Sequence, residues 1–108
     1  MPRQIRPESL AEKLRASEPV YLLDVREPWE HEHSRLPDSV LIPLGELSHR
    51  IGEVEPPPGA TVVVYCHHGI RSLSGAAILE AHGFPEAHSL TGGIEAWSLL
   101  IDATVPRY

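Results

Sequence analysis

Residues Thr61–Ser72, TVVVYCHHGIRS, constrain the fold more than any other stretch of the chain. Thr61, Val62, Val63, Val64 and Tyr65 are β-branched or aromatic, the make-up of a short strand buried on both faces. The run stops at Cys66, the chain's single cysteine. His67, His68, Gly69, Ile70 and Arg71 follow, and Ser72 opens a small-residue stretch of helical length, Leu73 to His82, that ends at Gly83. Strand, tight turn and helix in that order put the cysteine where the strand ends.

A loop that feeds a helix N-terminus presents unpaired amides and the positive end of the helix dipole, so it favours anions. A thiol held there beside a guanidinium ionises well below the ordinary value of about 8.5 and is a nucleophile at neutral pH. The competing reading makes Cys66 a small buried hydrophobe. Gly69, Arg71 and the strand and helix on either side favour the reactive cysteine.

At 108 residues the chain has the length of one domain, residues 1–108, with a single core. Its net charge of -6 argues against nucleic acid or an anionic membrane as the main partner, so attraction for an anion must be local. One cysteine rules out an internal disulfide. The first residues, MPRQIRPESLAEKL, lack the apolar core of a signal peptide, and no stretch approaches the roughly 20 apolar residues that span a bilayer. A cytoplasmic protein is the default expectation.

Pro7 at a first helical position and Leu10, Ala11 and Leu14 at helical spacing predict a helix from Pro7 to Ala16. Val20 to Leu23, closed by Asp24, reads as an inner strand of a parallel sheet. Glu27 to Glu30 starts a short helix, Arg35 to Ser39 forms a turn, and Val40 to Ile42 makes a short strand stopped by Pro43. Leu44, Leu47 and Ile51 share one face of a predicted helix, Leu44 to Ile51, and Pro56 to Gly59 form a stiff connection. Ala87 to Leu90 supplies a last strand. The glycine pair Gly92-Gly93 allows positive φ or close backbone approach, and Trp97 belongs to the core on a final helix. Thr104 to Tyr108 is a docked or frayed tail.

Strands alternating with helices define an α/β layered domain with a mostly parallel sheet, whose ligands bind beyond the carboxyl ends of the strands. Asp24, Arg26 and Cys66 all fall at such ends. His31 and His33 are two apart, and His67 and His68 are adjacent, so neither pair makes a good joint metal site. No metal and no cofactor is expected. Trp29 has two open roles, lining the site's entrance or packing in the core.

These residues resemble the rhodanese family of sulfurtransferases, in particular its single-domain members. The likeness lies in LLDVREPWE (Leu22 to Glu30), the Leu36-Pro37 turn before VLIP (Val40 to Pro43), VVVYCHHGIRS, Gly83-Phe84, and LTGGIEAW (Leu90 to Trp97). The resemblance implies a five-stranded parallel sheet, order 3-2-4-5-1, with helices on both faces. It also implies that Cys66 takes a sulfane sulfur from a donor such as thiosulfate and passes it to cyanide, a thiol or a protein acceptor. Where many relatives read Gly-His-Ile-Pro-Gly-Ala, this chain has Ser34 to Ser39, with Ser34 and Asp38 in place of two glycines.

Four residues separate Cys66 from Arg71, as in the sulfurtransferases; the phosphatases and arsenate reductases of this fold have a longer loop. A short loop gathers its amides around one sulfur, whereas a longer one leaves room for a tetrahedral oxyanion. Accordingly Cys66 is the expected nucleophile, and His67, His68, Gly69, Ile70, Arg71 and Ser72 form the anion-binding loop. The side chains of His67 and His68 either bind an anionic donor, helped by protonation, or are exposed while their amides act. Arg71 either balances donor charge or makes a salt bridge that shapes the loop. Asp24 and Arg26 resemble the family's supporting pair beneath the loop. Two other functions compete: a sulfur carrier in a protein relay, and a phosphatase or arsenate reductase.

Overall fold

The computed structural model describes residues 2–108. Five strands make one sheet: β1 (Arg3–Ile5), β2 (Val20–Asp24), β3 (Val40–Leu41), β4 (Thr61–Tyr65) and β5 (His88–Leu90). Every pairing is parallel, and the order β1-β5-β4-β2-β3 is the expected 3-2-4-5-1 read from the other edge. The helices are α1 (Pro7–Arg15), α2 (Pro28–His33), α3 (Arg71–Ala81) and α4 (Gly93–Leu100).

The central strand β4 is apolar throughout because it is covered on both sides. Val63 and Tyr65 face one core cluster with Leu10, Ala11, Ile94 and Trp97, the buried residues of α1 and α4. Val62, Val64 and Cys66 face the other, with Ala76 and Leu79 of α3 and with Ile42, Leu47 and Val54. The period-2 alternation of the strand thus sorts the helices into two layers and turns Cys66 toward α3. Gly75 lets α3 come close, since a Cβ there would lie 3.0 Å from the Val64 side chain.

One predicted helix is corrected. In place of the helix Leu44 to Ile51 the chain forms two single 3₁₀ turns, Leu44–Glu46 and Ile51–Glu53, with hydrogen-bonded turns between them. Eight residues holding Gly45 and followed by Gly52 repay helix nucleation poorly, and i→i+3 bonds such as Glu46 N to Pro43 O (2.9 Å) close the turns instead. The apolar spacing still serves burial: Leu47 is fully buried, and Leu44 and Ile51 pack against the same cluster. Ile42 lies past the end of β3 yet is buried, its amide bonded to the Asp24 carbonyl at 3.0 Å.

The tail docks. The Ser98 hydroxyl donates to the Val105 carbonyl (2.7 Å), Val105 is buried, and Arg107 pairs with Glu95 at 2.7 Å. At the glycine-poor turn, Asp38 takes φ 58°, a left-handed conformation that Asp tolerates better than most residues. The Ser39 hydroxyl bonds the Leu36 carbonyl at 2.8 Å and closes that turn.

Candidate active site

Cys66 follows β4 directly, and the next four residues turn the chain into α3. No side chain caps α3 at Ile70; the sulfur does that work from below. The amides of Ser72 and Gly69 donate to Cys66 Sγ at 3.3 and 3.2 Å, and the Ser72 hydroxyl lies 3.4 Å from it. Of the expected loop amides, those of Gly69 and Ser72 reach the sulfur. Gly69 reaches it at φ 97°, a conformation that glycine adopts without strain.

The outer side of the loop is held by α4. Its first amides, Ile94 N and Glu95 N, donate to the carbonyls of Cys66 and His67 at 2.9 and 3.1 Å. Those carbonyls are therefore turned away from the sulfur. Gly92 and Gly93 stand at φ 74° and 61°, and a Cβ on Gly93 would lie 2.5 Å from the Cys66 carbonyl oxygen. Both expected properties of the glycine pair, positive φ and close approach, are used.

Arg71 makes the salt bridge. Its two terminal nitrogens bond the two oxygens of Glu30 at 2.7 and 2.9 Å, a bidentate pair tying the loop's end to α2. Glu30 is buried, and its remaining acceptor positions take the Glu27 amide (3.0 Å) and the Tyr108 hydroxyl (2.6 Å). Burial raises the Glu30 carboxyl, but Arg71, the Glu27 amide and Tyr108 together hold it down at about 2. The sign follows. Stability from Glu30 is fully present above its ordinary 4.5 and is lost as pH falls toward 2. Because Arg71 is a third exposed, Glu30→Gln is expected to cost roughly 2 kcal/mol at pH 7. Urea unfolding at pH 7 and near pH 2 measures this: the wild type and the variant should converge at the acid end, and a gap that persisted there would contradict the assignment.

Asp24 and Arg26 sit at the end of β2, beside Tyr65 of β4, and both are completely buried. Arg26 donates to the two Asp24 oxygens at 2.9 and 2.8 Å, to the Ser34 carbonyl at 2.5 Å and to the Tyr108 hydroxyl at 2.7 Å. Asp24 also takes the Arg26 amide and His31 Nδ1, both at 2.9 Å. His31 is therefore half-buried against Asp24.

The His67 ring lies between those of His68 (3.8 Å) and Tyr108 (3.9 Å). Its Nε2 is buried and has no hydrogen-bond partner. Burial and the neighbouring His68 push its pKa down, although Glu30 and Glu95 oppose them, so the neutral ring is favoured and protonation gives little help to an anion there. His68 and Ile70 are exposed. Trp29 is 61% exposed and meets the edge of Tyr108 at 5.7 Å, so it stands at the rim and not in the core.

Three members of this constellation were not legible as site residues in the sequence: Glu30, Tyr108 and Ser89, whose hydroxyl lies 2.7 Å from that of Ser72. Glu30 carried one signal, the Glu27-x-x-Glu30 spacing of a capping box.

A parallel α/β sheet with a strand-end cysteine capped by the amides of a following helix defines a cysteine-loop domain. Residues 6–100 match the model of the rhodanese-like domain, and the chain belongs to that family and its sulfurtransferase class. It is 36% identical over 98 residues to a sulfurtransferase of Allochromatium vinosum, covering 91% of this chain and 90% of that protein. It is 38% identical over 95 residues to the thiosulfate sulfurtransferase GlpE of Pseudomonas syringae, covering 88% and 86%. Several other curated relatives are longer proteins, of which the chain spans between 26% and 50%. Among solved structures it is similar to a rhodanese-like domain protein from Staphylococcus aureus, with a TM-score of 0.81, 27% identity and 98% of each chain covered. No helix among the described residues is long and apolar enough to cross a membrane.

Proposed function

We propose that this chain moves a sulfane sulfur from thiosulfate, or a related persulfide donor, to a thiophilic acceptor through a persulfide on Cys66. The observation that carries the reading is the convergence of the Gly69 amide, the Ser72 amide and the Ser72 hydroxyl on one sulfur atom, inside a loop with four residues between Cys66 and Arg71. The Cys66 thiolate attacks the outer sulfur of thiosulfate, the S–S bond of the donor breaks, and sulfite leaves with the electron pair. The terminal persulfide sulfur now carries the negative charge, within reach of the donors preorganised for the thiolate. Cyanide or a thiolate then attacks that sulfur, and Cys66 leaves as thiolate. Arg71 contributes a fixed positive charge at the loop's end while it holds Glu30.

Intact-protein mass measurement after thiosulfate tests this directly. The wild type should gain one sulfur atom that cyanide or dithiothreitol removes, and Cys66→Ser should gain none. Absence of any gain with every sulfane donor would overturn the reading. A protein acceptor is supported by Ile70, 76% exposed on the loop, and Trp29 on the adjoining rim, apolar groups that a small anion does not need. Rapid persulfide transfer to or from a protein, with negligible small-molecule turnover, would make the chain a carrier. A location in the cytoplasm is part of the same proposal.

A further inference from the structure

Ser89 lies on β5 opposite Val64 in register, so its side chain shares the face of the sheet that Val64 and Cys66 occupy. Both Ser89 and Ser72 are completely buried. Their hydroxyl oxygens are 2.7 Å apart, and Ser72 Oγ is 3.4 Å from Cys66 Sγ. Among the described residues, Ser72 is the sole hydrogen-bond partner of the Ser89 hydroxyl.

Counting protons along this row gives it a direction. Each hydroxyl has one proton to donate. If the sulfur is a thiol and donates to Ser72, then Ser72 donates to Ser89, and the Ser89 proton is buried with no acceptor. If the sulfur is a thiolate, or the inner sulfur of a persulfide, it only accepts. Ser72 then donates to it, Ser89 donates to Ser72, and every proton has a partner. A thiol that instead accepts from Ser72 leaves its own weak S–H donor without a partner among the described residues, and burying an unsatisfied donor is unfavourable, so every proton is placed only when the sulfur carries none.

We infer that Ser89 is a positioning residue that aims the Ser72 hydroxyl at Cys66 and thereby favours the anionic state of the sulfur. The inference rests on Cys66 being the sulfur nucleophile, but it concerns the resting thiol and can be read without any sulfur donor. The charged or titratable groups nearest this row are Arg71 with Glu30, and His67 and His68, in or against the loop; Asp24 and Arg26 lie by Tyr65 on the sheet's other face, to which His88 also alternates. None of them is hydrogen-bonded to Sγ or to either serine hydroxyl.

The test is the pH profile of Cys66 alkylation by iodoacetamide in sulfur-free protein. Ser89→Ala should move the profile to higher pH and slow the reaction about fivefold at pH 7, the effect of one lost hydrogen bond, while the limiting rate at high pH is unchanged. Ser89→Gly removes the same hydroxyl and should give the same shift should the alanine variant fold poorly. Ser89→Thr keeps a donor and should restore the wild-type profile. An unshifted profile in both hydroxyl-free variants overturns the inference. So does an equal slowing at every pH, which would report loosened packing, or a threonine variant that behaves like alanine. A shifted profile in a protein that thiosulfate fails to load would leave the role of Ser89 standing and remove the sulfurtransfer reading instead.

Discussion

Gly93→Ala is expected to lose roughly 3 to 5 kcal/mol of stability and, with it, most persulfide formation. Two separate penalties add. The residue sits at φ 61°, where a side chain is strained, and its new Cβ would fall 2.5 Å from the Cys66 carbonyl oxygen and 2.6 Å from the His67 carbonyl carbon. These are backbone atoms, so no rotamer change relieves the overlap. Either the first turn of α4 retreats or the loop does, and both movements break the bonds from Ile94 N and Glu95 N that hold the loop carbonyls outward. For a domain whose total stability is on the order of 5–15 kcal/mol, the loss is a large share, and the midpoint of thermal unfolding should fall by roughly 15 °C. Gly45→Ala is the control, because nothing lies within 4 Å of its added Cβ and its φ is not positive. If the two variants melted within a few degrees of each other, the close approach of α4 to the loop would not be what shapes the cradle.

The reach of sequence reasoning here has a physical limit. The β4–loop–α3 unit is local: its apolar run, its glycine and its helix lie within about twenty positions, and local pattern suffices to place Cys66 at a strand end. The sheet order was available only through the family likeness, because apolar periodicity does not say which strand pairs with which. Glu30 meets Arg71 across 41 positions and Tyr108 across 78. Neither contact leaves a periodic trace, and a tyrosine in an irregular tail has nothing local to mark it. Ser89 is a small polar residue in a three-residue strand, where a satisfied core hydroxyl and a site hydroxyl look alike in sequence. The misread helix at Leu44 to Ile51 shows the converse. One buried residue per turn produces the same apolar spacing in 3₁₀ turns as in an α-helix, and the glycines at 45 and 52 were the better guide.

Arg26→Met should be as damaging as the glycine change, at about 3 to 5 kcal/mol, and by a different route. Burial disfavours the Arg26 charge, but the hydrogen bonds and charge of Asp24, helped by Tyr108, more than restore it, and its pKa is raised. Removing the guanidinium leaves the Asp24 carboxylate fully buried, with only the residue 26 amide and His31 as partners. It also strips a donor from the Ser34 carbonyl and from Tyr108. Since most of the cost is the stranded charge, adding Asp24→Asn to Arg26→Met should recover stability. A double-mutant cycle by urea unfolding reads the coupling, and a double variant that lost the sum of the two single losses would refute the pair as the support at the end of β2. The same cycle bears on the site. Asp24, Arg26, Tyr108, Glu30 and Arg71 form one continuous row of hydrogen bonds from the end of β2 to the first residue of α3. Arg26→Met should therefore slow sulfur loading of Cys66 even at temperatures where the variant is folded, because Glu30 then holds Arg71 with one less anchor behind it.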